Sequence, residues 1–380
     1  MKKEELEEIR PYYDEEINAA LNRCTKNPII NYVLNFLFPV EKHAEIISVL
    51  NNCQSAYEFQ TKFMYHAIRS ITSKTSDGLT WSGIEDLSAD VPYLFVANHR
   101  DIVLDSAILQ TILVDHKFPT TEITFGSNLM MLPFIVDVGK ANRMFKVNRG
   151  GNPKEFLHNS QVLSEYIRYT ITEKKASIWI AQRNGRTKDG NDKTEVALTK
   201  MLNMSGSGSV IENLFSLNIV PFTISYEYEP CCLEKVNELY CARQLKYEKK
   251  DGEDLSSIIK GITHPKGRIH LTFDKPLNET MSASIGELNK NEIFKKITLA
   301  IDHRIYKNYR LWPTNYIAYD MLDGKNKYLA QYTDEEKSRF LKHYDDTISA
   351  LKGNKEELND IFLHLYANPV INRESLNKKQ

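Results

Sequence analysis

A histidine and an aspartate six positions apart stand where an apolar run meets a helical pattern. The run 93–97 predicts a buried strand and residues 106–114 predict a helix, with His99 in the polar turn between them and Asp105 at the helix start. A carboxylate beside an imidazole fixes its tautomer, so this pair could act as a general base. Asp101 is a rival partner for the histidine. A carboxylate at a helix start also caps the helix, so Asp105 could instead be structural.

Two later segments contain cations that could bind an anionic group. Lys146 and Arg149 alternate with apolar residues in a predicted strand over 145–149, which runs into two glycines. The segment 182–188 follows a predicted buried strand and combines cations with a glycine and a threonine. Such cations, with free backbone N–H groups, suit a phosphate or a carboxylate. The alternative for both segments is an exposed strand or turn with solvated charges.

The elements that must position these residues alternate between strands and helices. Short apolar runs separated by helical patterns predict an α/β core, with a mixed, mostly parallel sheet flanked by helices. Because proline cannot donate to a sheet ladder, Pro221 predicts that the apolar run 219–224 is an edge strand or a bulge near a site. The other predicted strands are 93–97, 123–125, 145–147, 176–181 and 268–273.

The pattern predicts three regions along the chain. Residues 1–78 are expected to form an N-terminal helical region, residues 79–280 the α/β core, and residues 281–380 a C-terminal helical region. The apolar stretches 28–40 and 129–138 are too short to span a bilayer. Each could pack in the core or lie in a membrane interface, so the N-terminal region is either a helical cap or a membrane-docking pair of helices.

The composition excludes several classes of protein. The chain has 380 residues and a formal net charge of −1, so no overall positive field favours nucleic acid. Its five cysteines form no C-x-x-C pair, which argues against a zinc site or a disulfide framework and favours a reducing compartment. The charged N-terminus lacks the apolar centre of a signal peptide. We expect a cytoplasmic protein.

Four segments together resemble the glycerolipid acyltransferases, that is, the glycerol-3-phosphate and 1-acylglycerol-3-phosphate acyltransferases. The order is the same: a histidine–aspartate block, a block ending in arginine, a glycine–arginine loop and a strand with a Val-Pro pair. The likeness covers residues 80–280. Two features depart from the family pattern. Five residues separate the histidine from the aspartate where the family has four, and Gln182 stands where the family has glutamate. The matching segments are 98–105, 145–149, 182–188 and Val220-Pro221.

The resemblance implies acyl transfer from acyl-CoA or acyl-carrier protein to a hydroxyl of a glycerophosphate, without metal or cofactor. His99 would be the general base and Asp105 its partner. A protein that handles acyl chains without a spanning helix must dock on a membrane, so we expect peripheral association with the inner face of the cell membrane. No nucleic-acid partner is expected. The substrate-binding set would be Lys146, Arg149, Gln182, Gly185, Arg186 and Lys188.

Three alternatives remain open from the sequence. The same fold could acylate an amine or a lipid hydroxyl without phosphate, which the altered block at Gln182 favours somewhat. The chain could be a catalytically silent lipid-binding or scaffold protein. It could also be a thioester hydrolase, with water in place of the acceptor. Donor carrier, acyl-chain length and oligomeric state are not predicted.

Overall fold

One seven-stranded sheet forms the centre of the computed structural model. The structure describes residues 3–130, 132–148, 150–244, 252–281, 285 and 288–377. The strands are β1 Gly78–Ser82, β2 Leu94–Ala97, β3 Glu122–Gly126, β4 Met144–Val147, β5 Ile178–Ala181, β6 Ile219–Tyr226 and β7 Arg268–Phe273.

The strand order across the sheet is β1-β7-β6-β2-β5-β3-β4. Strands β2 to β6 run parallel to one another, β7 is antiparallel to β6, and β1 is parallel to β7. The prediction of a mixed, mostly parallel sheet is therefore confirmed. The carboxyl ends of β2 to β6 meet at one edge, and the reversal at β7 brings the amino ends of β7 and β1 to that same edge.

Helices cover both faces of the sheet. A π-helical turn, Gln60–Met64, joins the fifth and sixth helices. The helices are α1 Lys3–Ile9, α2 Asp14–Lys26, α3 Ile29–Leu37, α4 His43–Asn52, α5 Ala56–Phe59, α6 Tyr65–Thr75, α7 Leu104–Asp115, α8 Pro133–Ala141, α9 Pro153–Thr172, α10 Val196–Asn203, α11 Val210–Phe215, α12 Cys232–Gln244, α13 Glu253–Thr263, α14 Leu277–Thr280, α15 Lys290–Asn308, α16 Pro313–Asp323, α17 Asp334–Ala350 and α18 Lys355–Asn377.

Successive side chains of a strand point to opposite faces of the sheet, so the core consists of one cluster on each face. Phe95 and Ala97 of β2 face the cluster formed with α7 and the N-terminal helices α2 to α6. Leu94 and Val96 face the opposite cluster, formed with α9, α10, α11 and α15. A third cluster, between α12, α16, α17 and α18, lies beside the sheet. The sheet thus holds the end of β2 between two packed layers.

The apolar stretches that could have docked on a membrane are partly used in the core. In α3, Ile30, Leu34 and Leu37 are buried, whereas Tyr32 is 77% exposed. Leu132 is exposed just before α8, and Met131 lies outside the described residues. Within the described ranges, no helix is both long and apolar enough to cross a membrane.

The prediction that Pro221 marks an edge strand or a bulge is wrong. Strand β6 lies between β7 and β2, and Pro221 pairs in register with Val96. Its carbonyl accepts from the amide of Asp274 on the β7 side, at 3.1 Å. The β7 ladder begins only at Phe222. The two polar groups of a strand residue point to one side, so the missing N–H removes only the reciprocal bond to Asp274, at the end of that ladder.

Candidate active site

His99 and Asp105 lie in hydrogen-bond contact at the carboxyl end of β2. The chain leaves β2, turns through polar residues and begins α7, which brings Asp105 back to the imidazole. His99 Nδ1 lies 2.9 Å from Asp105 Oδ2. Because an ionised carboxylate only accepts, Nδ1 carries the proton and Nε2 presents its lone pair. None of the residues that the structure describes hydrogen-bonds Nε2, so this nitrogen can take a proton from a substrate.

The Asp105 carboxylate is held by several donors besides the histidine. It is fully buried, and its Oδ2 accepts from the backbone N–H of Arg100 at 2.6 Å and of Asp101 at 2.9 Å. Its Oδ1 accepts from the Tyr226 hydroxyl at 2.9 Å. Burial, followed by the charge of Asp105, raises the pKa of Tyr226 well above its usual value, so the phenol stays protonated and donates. The carboxylate therefore has a fixed position.

The rival carboxylate, Asp101, caps α7. Its Oδ1 accepts from the backbone N–H groups of Val103 at 2.9 Å and Leu104 at 2.8 Å. Its Oδ2 is buried and has no partner among the described residues. Burial raises the pKa of Asp101, and the charge of Asp105 acts in the same direction. The capping role thus falls to Asp101, and the histidine contact falls to Asp105.

The His99 imidazole is mostly enclosed. The side chain packs edge-on against the ring of Trp179 on β5, with ring centroids 5.5 Å apart, and the residue is 8% exposed. The carbonyl of His99 accepts from the backbone N–H of Thr187 at 2.7 Å. That bond joins the histidine turn directly to the loop that follows β5, so two of the predicted site segments are in contact.

Arg186 in that loop is a buried cation. The residue is 9% exposed, and no described residue hydrogen-bonds its Nη1. It precedes Thr187, the residue bonded to the histidine turn, so the loop that carries it lies at the same edge of the sheet. Gly185 has a φ of +76°, a conformation that glycine adopts without strain and that turns the loop before Arg186. An unpaired buried guanidinium is suited to an incoming anion.

Gln182 lies inside the protein rather than facing the edge. Its backbone N–H donates to the carbonyl of Ala97 at 2.8 Å, which extends the pairing of β5 with β2 by one residue. Its Oε1 accepts from the hydroxyl of Thr194 at 3.2 Å, and its Nε2 has no partner among the described residues. In this structure the side chain connects the two ends of the loop 182–194.

Other predicted site cations are paired elsewhere. Lys188 forms an ion pair with Glu238 of α12. Lys146 lies on β4, and its Nζ is 2.7 Å from Glu8 of α1. Strand β4 is three positions from β2, which places its backbone about 14 Å away. Arg149 lies outside the described residues. The structure therefore brings together His99, Asp105 and the Arg186 loop, but not Lys146.

A buried charge network under the histidine turn is absent from the sequence predictions. Arg100 is fully buried and pairs with Asp192 and Glu229, at 2.6 Å and 2.9 Å. Lys235 pairs with Glu229 and donates to the Arg100 carbonyl at 2.7 Å. Asp192 also accepts from the side chain of Asn98 at 3.0 Å. No sequence signal joins Arg100 to this network, because 92 to 135 positions separate it from Asp192, Glu229 and Lys235.

An apolar cavity opens at the same edge of the sheet. Its volume is about 400 Å³, and it lies at the ends of β3, β4 and β5 between α9 and α10. His99 does not line it, but Ala181 does, and Ala181 pairs in register with Ala97, two residues before the histidine. A larger open cleft of about 910 Å³ near α3 and α6 includes none of the predicted site residues. The apolar residues that line the smaller cavity include Val147, Phe156, Leu157, Leu163, Leu198 and Met201.

Comparisons with known proteins found a family model and a solved structure that are similar to this chain. A family model described as Acyltransferase matches residues 78–225, a segment that contains the histidine turn and the Arg186 loop. No curated protein matches the chain. Among solved structures, the chain is similar to the 1-acyl-sn-glycerophosphate (LPA) acyltransferase PlsC from Thermotoga maritima. The two chains are 12% identical in sequence. The match covers 75% of this chain and 93% of that chain, with a TM-score of 0.35. Over residues 78–225, less than half of its length, this chain is similar to the acyltransferase family.

Proposed function

We propose that this enzyme transfers a fatty acyl group to a hydroxyl of glycerol-3-phosphate or 1-acylglycerol-3-phosphate, in phospholipid synthesis. The donor would be a thioester, either acyl-CoA or acyl-carrier protein. One observation supports the proposal above all. A histidine with an open Nε2 and a buried carboxylate partner lies in the turn that is bonded to the loop of an unpaired arginine. A base beside an anion site fits a hydroxyl acceptor that also has a phosphate.

In this mechanism His99 acts through Nε2. It removes the proton of the acceptor hydroxyl while the oxygen attacks the thioester carbonyl, and a new C–O bond forms. The C–S bond then breaks, and the departing thiolate takes the proton back from the imidazolium. Asp105 holds Nδ1–H throughout and stabilises the imidazolium, so the ring keeps its tautomer and direction.

Arg186 would hold the acceptor phosphate. A guanidinium offers two parallel N–H groups to a phosphate, which fixes both position and direction. Its contact with the histidine turn through Thr187 would place the acceptor hydroxyl near Nε2. Lys188 could contribute only by leaving Glu238. Arg149 remains a predicted phosphate ligand outside the described residues.

The acyl chain would lie in the apolar cavity beside β5. An extended saturated chain needs a narrow apolar channel, and the cavity reaches Ala181 at the strand position next to the histidine turn. Phe156 and Leu157 line it and are 58% and 61% exposed. Exposed apolar side chains at its opening support docking on a membrane surface, the inner face of the cell membrane being where thioester donors occur.

The test is transfer from a labelled long-chain acyl-CoA and the matching acyl-carrier protein. Glycerol-3-phosphate, its 1-acyl form and a no-acceptor control would be assayed with the wild type and His99→Ala. We expect His99→Ala to lower the rate by about 100- to 10,000-fold, the usual contribution of a general base. His303→Ala is the matched control, because His303 is exposed on α15. Fatty acid released without acceptor would identify a hydrolase, and bound lipid without turnover a silent lipid-binding protein.

The acceptor phosphate has its own test. Arg186→Gln should raise KM for glycerol-3-phosphate by about 10- to 100-fold, since hydrogen bonds to charged groups contribute about 1.5–3 kcal/mol. Lys188→Gln should raise it less, because Lys188 is already paired. A neutral lipid alcohol or an amine would be assayed in parallel. Faster acylation of that acceptor, unaffected by Arg186→Gln, would contradict the phosphate assignment.

A further inference from the structure

Asp192 is the one described residue that hydrogen-bonds the side chains of both neighbours of His99. Its Oδ2 accepts from Asn98 Nδ2 at 3.0 Å, on the strand side of the histidine. Its two oxygens also accept from Arg100 Nε at 3.0 Å and Nη2 at 2.6 Å, on the helix side. Asp192 is 2% exposed. The carboxylate therefore spans the histidine and fixes the two ends of the turn that presents it.

The surrounding contacts make this bridge rigid. Asn98 also exchanges two hydrogen bonds with the backbone of Ile224 on β6, at 2.8 Å and 2.9 Å. Arg100 also donates to the carbonyl of Gly190 at 3.1 Å and packs its guanidinium over the ring of Tyr309, 5.1 Å from the centroid. Both ends of the bridge are thus anchored to other elements, and Asp192 cannot shift without breaking several buried contacts.

The network has equal numbers of positive and negative charges, but its ion pairs contribute little to the net stability of the fold. Two cations, Arg100 and Lys235, face two carboxylates, Asp192 and Glu229, and all four are buried. Removing ions from water offsets most of the attraction between them, so a buried pair is a weak source of net stability. The pairs instead fix the orientation of the side chains, because a guanidinium and a carboxylate bond only in a fixed geometry.

We propose that Asp192 is a positioning residue that holds His99 in the orientation needed for proton transfer. The inference rests on the proposed function, in which His99 is the base. Asp105 fixes the ring from Nδ1, and Asp192 holds the side chains of the residues on either side of His99, Asn98 and Arg100. Loss of the bridge would let the turn move, whereas the Arg186 side chain is not among the groups that hydrogen-bond Asp192 in the described part of the chain. The effect should therefore fall on kcat rather than on KM.

The test compares Asp192→Asn with Asp189→Asn, which makes the same change three residues earlier in the same loop. Among the described residues, the Asp189 side chain accepts from the N–H of Asn191 and hydrogen-bonds neither neighbour of His99. We expect Asp192→Asn to lower kcat by about 100-fold, the effect of misplacing a reacting group by about 1 Å, with little change in KM. Asp189→Asn should match the wild type.

A second measurement reports on His99 without turnover. Imidazole nitrogen chemical shifts, assigned by comparison with His99→Ala, should show the proton on Nδ1 in the wild type and in Asp189→Asn at pH 8. Asp192→Asn should populate the second tautomer. If the wild type transfers no acyl group, the proposed function fails, while the nitrogen shifts still decide the positioning role.

Asp192→Asn leaves Arg100 less well paired and could prevent folding, so Asp192→Glu is the second variant. It keeps the charge but moves the carboxylate, and cannot keep all three bonds to Asn98 and Arg100. We expect a Tm close to that of the wild type with a reduced kcat and altered His99 nitrogen shifts. A folded Asp192→Glu with wild-type kcat and wild-type shifts would overturn the proposal, as would a folded Asp192→Asn with both unchanged.

Discussion

The carboxylate of Asp105 receives more hydrogen bonds than a helix cap needs. His99, two backbone amides and the Tyr226 hydroxyl all donate to it. His99 and the two backbone amides donate to Oδ2, so an NH₂ group in that position would set donor against donor. At the scale of single residues, the site depends on one charged acceptor, and a neutral amide cannot stabilise an imidazolium in its place.

The first prediction concerns this acceptor. Asp105→Asn should lower kcat by at least about 100-fold, because a neutral amide cannot stabilise the imidazolium that forms when His99 takes the proton. It should also lower the free energy of unfolding by about 1–3 kcal/mol. Asp101→Asn is the comparison, since an asparagine oxygen can still cap α7. Urea denaturation and acyl-transfer kinetics on both variants are the measurements. An equal loss of kcat in the two would contradict the division of roles.

What the sequence predicts at this scale depends on distance along the chain. The pairing of His99 with Asp105 was predictable because a strand, a turn and a helix start lie within a dozen residues. The ion pair of Lys188 with Glu238 was not, because Lys188 lies in a loop and its partner comes 50 positions later, on α12. A cation's type shows what it can bind, but its nearest carboxylate depends on the packing of distant elements.

At the scale of elements, the ends of β3, β4 and β5 form the wall of the apolar cavity, and α9 and α10 close it. Five strands of one direction end at a single edge, so helices that return over that edge leave space between them and the sheet. Strand β1 was missed, because its residues alternate between exposed and half-buried and include a glycine and two hydroxyls. Fully buried strands such as β2 and β5 were predicted, because their apolar runs are continuous.

The second prediction tests what the cavity holds. Met201→Trp adds a large ring to the α10 wall and should shift the preferred donor to shorter acyl chains. Each methylene that can no longer be buried costs about 0.8 kcal/mol, or about fourfold in kcat/KM. The measurement is kcat/KM across a series of saturated acyl-CoA lengths.

Leu299→Trp is the matched control for that series, because Leu299 is exposed on α15. It should keep the wild-type length profile. An unchanged profile in a folded Met201→Trp would exclude this cavity as the acyl site.

At the scale of the whole molecule, the C-terminal helices reach the network under the histidine. The Tyr366 hydroxyl on α18 accepts from the backbone N–H of Glu229 at 3.0 Å and lies 2.9 Å from His343 Nε2 on α17. Asn368 donates to the carbonyl of Asp189 at 2.6 Å. The third core cluster therefore supports the loop that holds Asp192, although it lies far from His99 in sequence.

The third prediction concerns acid stability. Burial lowers the pKa of His343 to about 4. In the unfolded state His343 takes up a proton with the ordinary pKa of about 6.5, whereas in the folded state it does so only near pH 4. The folded state is therefore fully stable above pH 6.5 and loses stability as the pH falls toward 4. The loss by pH 4.5 should be on the order of 2 kcal/mol. Urea denaturation at pH 7 and 4.5 should show a smaller difference for His343→Gln than for the wild type. The same change at exposed His303 should leave the difference unaltered.

The pairing of β1 with β7 has a consequence for how the chain can be synthesised. Gly78 pairs with Arg268 in the sheet, so β1 cannot pair until the chain 190 residues further on has been synthesised. A nascent chain released at residue 225 would leave β1 without that neighbour and would expose the open side of β6, a surface prone to joining other chains. The edge of the sheet formed by β1 and β7 can therefore fold only after the ribosome has completed β7. We expect shortened products to aggregate rather than to form a smaller enzyme.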